Sequence, residues 1–487
     1  MRLRVRVEVL GVAASAALAA CAAGPDFHRP EAPVVSTFTR DALPGQTAGV
    51  EGPDGLAQVF RSGLDVPADW WTLFGSTALN AMVRRSLGAN PDLESARASL
   101  RVAQELARAQ GAGLWPFAQA SFSPSRQRVS AITSSPLNSG DSVFNLHTAQ
   151  LSISYAPDVF GATRRAIESA QAQSEVQRFQ VEAAYLTLTA NVVVGAIQLA
   201  SLRGQLEATQ RSVQASSDQL EVLKRQRQLG QIADAAVLAQ EAALAQARAA
   251  LPPLQKQLQL QRDVLATLSG RFVADDSDED LDLAALQLPA ELPVSLPSEL
   301  VAQRPDIQAA QAQLHAASAQ IGVAVANRLP QLTLTASGGA MATRMSELTR
   351  ADNVFWNLAA NATQPLFDGA ALLHRQRASQ AAYEQAAAQY RSTVIAAFQN
   401  VADALEAIKA DADALAAAVQ AEQSARASLE IARRQLELGD VSPLSVMLAE
   451  QAWQQATIAL VQARASRLAD SAAMFQALGG GWWNRRN

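Results

Sequence analysis

Chemistry in a protein needs acids, bases, nucleophiles or metal ligands that converge, and this 487-residue chain supplies few of them. Its four histidines, His28, His147, His315 and His374, are scattered, with no cysteine partner and no spacing of three or four between any two. The acidic run Asp275, Asp276, Asp278, Glu279 and Asp280 lacks the glycine and glutamate spacing of a calcium loop, so it reads as a solvated linker. Gly479-Gly480-Gly481 follows a helical stretch and contains no lysine, which makes it a chain-end turn and not a phosphate cradle. These residues argue against an enzyme, and neither a metal nor a cofactor is expected. The one nucleophile in a telling position is Cys21, the only cysteine of the chain.

Arg2, Arg4 and Arg6 precede an apolar stretch from Val9 to Ala20 that is too short for a permanent membrane helix and reads as a secretory signal, residues 1–20. The stretch ends in Leu18-Ala19-Ala20-Cys21, which resembles a bacterial lipobox, so Cys21 is expected to carry a covalent lipid as the first mature residue. Ala22 after the cysteine, by resemblance to sorted lipoproteins, favours the outer membrane. A lone thiol excludes a disulfide framework. Loss of the three arginines and Glu8 takes the formal charge from −5 to −7, a mild acidity that argues against a nucleic-acid partner.

The chain repeats itself. Pro91, Asp92, Ala96, Ala98, Leu100, Ala103 and Pro116 recur 214 positions later, from Pro305 and Asp306 to Pro330. Pro157, Gly161 and Ala162 recur as Pro365, Gly369 and Ala370, and Leu229, Gly230, Val237 and Glu241 as Leu438, Gly439, Val446 and Glu450. The near-constant offset marks two copies of one folding unit, residues 67–274 and 299–482, followed by a tail at 483–487.

Each copy is expected to feed two strands into a very long helix. Val176, Phe179, Ala183, Leu186, Ala190, Val193, Ile197 and Ala200 recur at threes and fours, the seam of a coiled coil, as do Ala387, Tyr390, Val394, Ala397, Val401, Ala404 and Ile408. The spacing predicts long helices over about 158–229 and 368–438, each reaching on the order of 100 Å. Each stops at a glycine, Gly230 or Gly439, and returns over about 234–268 or 442–478. Pro252-Pro253 should break or kink the first return helix, and Ser442-Pro443 fits a side-chain cap with proline at the first helical position.

Ahead of each long helix the period changes to two. His147, Ala149, Leu151, Ile153 and Tyr155 alternate with polar residues over 146–156, as do segments 331–340 and 355–364, whereas 117–129 alternates poorly and contains Pro124. Strands of about ten residues with one apolar and one polar face suit a membrane β-barrel with a wet lumen. Four strands cannot close a barrel, and an open edge in lipid leaves backbone groups unsatisfied, so several chains must share one. Residues 21–66 read as an extended lipidated segment and 275–298 as an acidic, proline-rich linker. The polar stretches Ser130 to Ser142 and Ala342 to Asp352 read as exterior loops.

Further marks are Cys21-Ala22-Ala23-Gly24-Pro25-Asp26-Phe27 with Arg29-Pro30, Trp70-Trp71-Thr72-Leu73-Phe74, and the Asn90-Pro91-Asp92-Leu93 and Arg304-Pro305-Asp306-Ile307 pair. Leu329-Pro330, Pro365-Leu366-Phe367-Asp368-Gly369 and the Gly439 turn complete the set. Together they carry a resemblance to the TolC-like outer-membrane efflux lipoproteins, exit ducts of tripartite pumps in Gram-negative bacteria. It implies an α+β membrane protein, a homotrimer with a twelve-stranded outer-membrane barrel continued by a periplasmic α-helical barrel. It also implies a periplasmic membrane-fusion adaptor docking at the turns Gly230, Gln231, Gly439, Asp440 and Val441, and through it an inner-membrane RND-type pump that supplies drugs or other small toxic compounds.

In related channels a leucine just after the second turn constricts the pore, and Leu444 occupies that place. Leu448 stands where a carboxylate ring is common, and Leu436 where an aromatic residue often precedes the glycine. The resemblance thus implies an apolar gate of Leu444 and Leu448, or else that both leucines pack between helices. Asp234 and Asp440 are the nearest carboxylates, either substitutes for the missing ring or capping and solvent-facing residues. A non-conducting coiled-coil envelope lipoprotein, a duct for type I protein secretion and a duct for metal-ion efflux are the other readings considered.

Overall fold

The computed structural model describes residues 22–35, 37–51, 55–130, 141–275 and 281–485. Cys21, the signal segment, most of the first exterior loop and the acidic residues Asp276, Asp278, Glu279 and Asp280 lie outside the described residues. In chain order the main elements are β1 (Val59–Ser62), α1 (Thr77–Ala89), α2 (Pro91–Gly111), β2 (Phe117–Arg128), β3 (Val143–Tyr155), α3 (Ala162–Gln228), α4 (Asp234–Ala249) and α5 (Leu251–Leu268). They continue with β4 (Glu291–Val294), α6 (Pro297–Gln303), α7 (Pro305–Ala326), β5 (Gln331–Ala342), β6 (Val354–Thr363), α8 (Ala371–Leu438) and α9 (Pro443–Ala477). The chain divides into two compact units. One takes residues up to Pro30, Leu100–Gln177 and Ala310–Tyr390, and the other Glu31–Ser99, Arg178–Ala309 and Arg391–Asn487.

The first unit holds an antiparallel sheet in the order β2-β3-β5-β6. Its register explains the weak alternation of β2. Ala118, Ala120, Phe122 and Pro124 stand opposite Ile153, Leu151, Ala149 and His147 of β3, while Gln119, Ser121 and Ser123 stand opposite Ser152, Gln150 and Thr148. Directly opposed residues share a face, so β2 carries the same apolar and polar sides as its neighbours. β2 and β6 are the two edges, each paired on one side only within the chain.

The second unit has an aromatic and aliphatic core. Trp70, Trp71 and Phe74 of a short 3₁₀ turn are buried, and Trp70 stacks on Phe475 of α9 with ring centroids 5.4 Å apart. Trp482 meets Phe179 edge-on, and Arg485 clamps Glu182 through contacts of 2.6 and 2.7 Å. The seam of α3 is buried here from Leu186 through Ala190, Val193 and Ile197 to Ala200, with Val401, Ala404 and Ile408 its counterparts on α8. An apolar stretch of α3 would be long enough to cross a membrane, but most of it is buried within the protein.

Several expectations change. The segments read as connectors take part in the core, because β1 pairs in parallel with β4, Val59 opposite Glu291. The fully buried Arg467 of α9 donates to Thr47 Oγ1 at 3.1 Å and to the Leu56 carbonyl at 2.8 Å. Gln58 Nε2 donates to the Pro289 carbonyl and to Ser471 Oγ. A buried guanidinium needs acceptors for its N–H groups, and these segments supply them. Helices α1, α2, α6 and α7 precede the strands, where the period-two and coiled-coil patterns gave no cue. The first return helix does break, as Pro252-Pro253 predicts, at Ala250 into α4 and α5, with the prolines at the start of α5 where their missing N–H costs least. Ser442 sits at the N-cap of α9, but its side chain makes no capping bond and lies 3.4 Å from Ser445 Oγ.

Candidate functional site

Both helical hairpins, α3–α4 and α8–α9, end the same way. Gly230 and Gly439 have φ of +70° and +82°, a conformation in which a β-carbon is strained, although nothing lies within 4 Å of where one would stand. Gln231 N donates to the Gln226 carbonyl and Asp440 N to the Gln435 carbonyl, both at 2.9 Å, while each glycine N–H returns to the residue three before it. This closes the last carbonyls of the long helix in a Schellman arrangement.

Behind the turns the two hairpins diverge. In α3–α4, Lys224 stands 3.7 Å from Glu241, Arg227 3.5 Å from Asp234, and Leu220, Leu223, Val237 and Leu244 form a small core. The Asp234 side chain is exposed, and Ala233, not Asp234, is the N-cap of α4. In α8–α9, Arg433 donates to Glu450 Oε2 at 2.7 Å, and Trp453 Nε1 to Glu422 Oε1 at 2.8 Å. Ser212 Oγ of α3 donates to Gln454 Oε1 of α9 at 2.8 Å across a cleft of about 310 Å³ also lined by Gln240, Met447 and Glu450.

Leu444 and Leu448 lie on the first turns of α9 and remain 51% and 55% exposed in the protomer, although Val446 and Glu450 between and beyond them are buried. Packing inside their own chain therefore does not account for them. Asp440 is exposed in the turn, with Val441 half-buried beside it. The structure thus brings Gly439, Asp440, Val441, Leu444 and Leu448 onto one hairpin end and Gly230, Gln231 and Asp234 onto the other.

Sequence reasoning missed a second cluster, in the first unit. The N-terminal segment that follows Cys21 is held by Arg165 at the start of α3. Arg165 donates to Asp26 Oδ1 at 2.6 Å, to Glu168 Oε2 at 2.8 Å and to the Ala23 carbonyl at 3.3 Å. His315 Nε2 of α7 lies 2.8 Å from Glu168 Oε1, and Phe27 stacks on the His315 ring at 4.4 Å. A β-carbon on Gly24 would come within 2.4 Å of the Gly322 backbone, so the segment sits directly on α7. The hydrogen bond from Arg165 holds the Asp26 carboxyl below its ordinary value. Burial opposes the charge on Glu168, yet the bonds from Arg165 and His315 outweigh it and its carboxyl also titrates low. No spacing in the sequence joins positions 26, 165, 168 and 315.

An open four-stranded sheet with an apolar and a polar face, joined to paired helices of 67 and 68 residues, is the protomer of a shared membrane channel. Comparison with known proteins makes the class specific. The model of the outer membrane efflux protein family matches residues 82–271 and 296–480. The chain is 32% identical over 424 residues to the pyoverdine export outer membrane protein OpmQ of Pseudomonas aeruginosa, spanning 86% of this chain and 88% of that protein. It is 29% identical over 475 residues to the probable efflux pump outer membrane protein TtgC of Pseudomonas putida, spanning 96% and 94%. The structure of the outer-membrane channel OprN superposes with a TM-score of 0.84 at 26% identity, covering 95% of this chain and all of that one.

The chain belongs to the outer membrane efflux protein family. It is a transport protein of the outer membrane with a large periplasmic portion, the exit duct of a tripartite efflux system. It works as a trimer whose barrel takes four strands from each chain.

Proposed function

We propose that the duct passively conducts small toxic compounds, drugs among them, delivered by an inner-membrane RND-type pump through a periplasmic adaptor that docks at Gly230, Gln231, Gly439, Asp440 and Val441. Relatives named for toluene and antibiotic efflux support that substrate class, and the relative named for pyoverdine export supports a duct that discriminates weakly. No chemical step and no cofactor enter this reading, and the covalent lipid on Cys21 adds an anchor to that of the barrel.

The observation that carries the gate is the exposure of Leu444 and Leu448 immediately behind the second turn. Three chains present six such leucines, an apolar constriction that stops ions by dewetting. In planar bilayers the Leu444→Ser, Leu448→Ser double variant should conduct several-fold more than wild type. A variant pore no leakier than wild type removes the gate. Photo-crosslinking from Val441 should capture a periplasmic adaptor, and capture of cell-wall components alone would favour a non-conducting envelope protein.

A further inference from the structure

The two strand-to-helix junctions are equivalent in the repeat but not in their surroundings. After β3, residues 157–160 are half-buried and Gly161 is buried. The chain's own N-terminal segment covers them: Ala23 N donates to the Phe160 carbonyl at 2.9 Å, and Ala22 lies against Gly161. After β6, every residue from Gln364 to Gly369 is exposed. Two of them are large and apolar, Leu366 at 95% and Phe367 at 92% exposure. A second exposed apolar stretch leads into β2, with Trp115 just before the strand at 75% and Phe117 at its first position at 65%.

These two segments flank the two open edges of the sheet. Strand directions alternate through β2, β3, β5 and β6, so the end of β6 and the start of β2 lie at the same end of the sheet. When the trimer closes its barrel, β6 must pair antiparallel with β2 of the partner subunit. The junction after β6 then arrives beside the segment that leads into that strand.

Register sharpens the meeting. β3 and β5 pair with Tyr155 opposite Leu334. The same stagger at the seam, taken to the nearest residue that keeps apolar face beside apolar face, sets Ala362 opposite Ala120 or Phe122 of the partner subunit. Phe367 then comes level with Trp115 or Phe117 of the partner subunit, one exposed aromatic meeting another.

We propose that Leu366 and Phe367 form an intersubunit latch that packs on Trp115 and Phe117 of the partner subunit, sealing the barrel seam where the strands give way to helices. The occupant is a second copy of this chain, because the patch continues the strand seam that closes the trimer. The competing occupant, outer-membrane lipid at the barrel rim, would leave each side chain independent of the other.

Cross-linking the full-length trimer separates the two. A chain carrying both Phe367→Cys and Trp115→Cys, treated with a short bismaleimide, should give covalent dimers and trimers on denaturing gels, while either single variant should give none. Trimers that are intact on native gels but yield no cross-linked species would overturn the latch. A second readout avoids reliance on cysteine variants. Phe367→Ala and Trp115→Ala should each lower the temperature at which the trimer dissociates, and the double variant should fall little below the worse single. Additive losses would mean that the two side chains face lipid separately, and the latch would be abandoned.

Discussion

The two hairpins occupy equivalent places, yet they hold their helices together by different means. Lys224–Glu241 and Arg433–Glu450 are the same basic–acidic pair, 209 positions apart, bridging the same two helical turns. In the first hairpin the pair is loose, at 3.7 Å, with both side chains more than 40% exposed, and an apolar cluster does the binding. In the second the pair closes to 2.7 Å and Glu450 is only 11% exposed at its side chain. The hairpin bearing Leu444 and Leu448 is thus tied by a charge contact set in a drier place, whereas its twin is tied by packing. The duplicated scaffold gives one hairpin an apolar post and the other a charged tie.

Removing the basic partner should break the symmetry of the pair. Arg433→Ala strands a largely buried carboxylate, a change worth about 2 kcal/mol after discounting for the exposed arginine. Backbone amides near 429–454 should then exchange on the order of 30-fold faster. Lys224→Ala removes an exposed pair worth about 0.5 kcal/mol, so amides near 220–245 should change by less than about threefold. Equal responses in the two hairpins would contradict the division between post and tie.

The turns themselves should behave alike, and that is a control on the comparison. Gly230→Ala and Gly439→Ala each place a β-carbon at positive φ at a cost of about 1–2 kcal/mol, with no steric clash to add. Local exchange should rise by roughly tenfold in both hairpins. A far larger response at Gly439 would locate strain there that its backbone does not display.

What could be read from the sequence depended on periodicity. The long helices show a three-four seam over many turns, and three of the strands alternate cleanly, so their types were legible from Val176 onward and from His147 onward. β2 was harder because Pro124 interrupts it, and only its pairing with β3 reveals which face is which. The duplicated glycines announced the turns, since only a left-handed residue ends a helix that way at no cost. Nothing local announced the clasp of Asp26, Arg165, Glu168 and His315, because it joins three separate stretches of chain, each ordinary by itself. Arg467 looks in sequence like a surface residue of an amphipathic helix, and its burial depends on Thr47, Leu56 and Gln58, some 400 positions away. Tertiary partners of that kind leave no period behind.

A finer difference between the halves lies further along the same helices. Asp411 of α8 faces Asp470 of α9, where the first copy carries Leu202 and Gln261 at the positions 209 earlier. Burial, with the hydrogen bond and charge of Asp470 added, pushes the Asp411 carboxyl up to about 7, and Arg467 offsets only part of this. The folded state therefore holds a proton that the unfolded chain releases near pH 4. The stability this group contributes is fully present below about pH 4 and is lost as pH rises through about 7, where Asp411 itself ionises beside Asp470. Asp411→Asn mimics the protonated form at every pH. At pH 8 it should raise the thermal midpoint by roughly 2–4 °C, the shift expected for about 1 kcal/mol in a unit of this size. At pH 4 the difference should nearly vanish. A control in the first copy, Gln261→Leu at the place that Asp470 holds in the second, removes no ionisable group, so its effect should not vary with pH. If Asp411→Asn gave the same shift at both pH values, the carboxylate pair would not be what distinguishes the second pair of helices from the first.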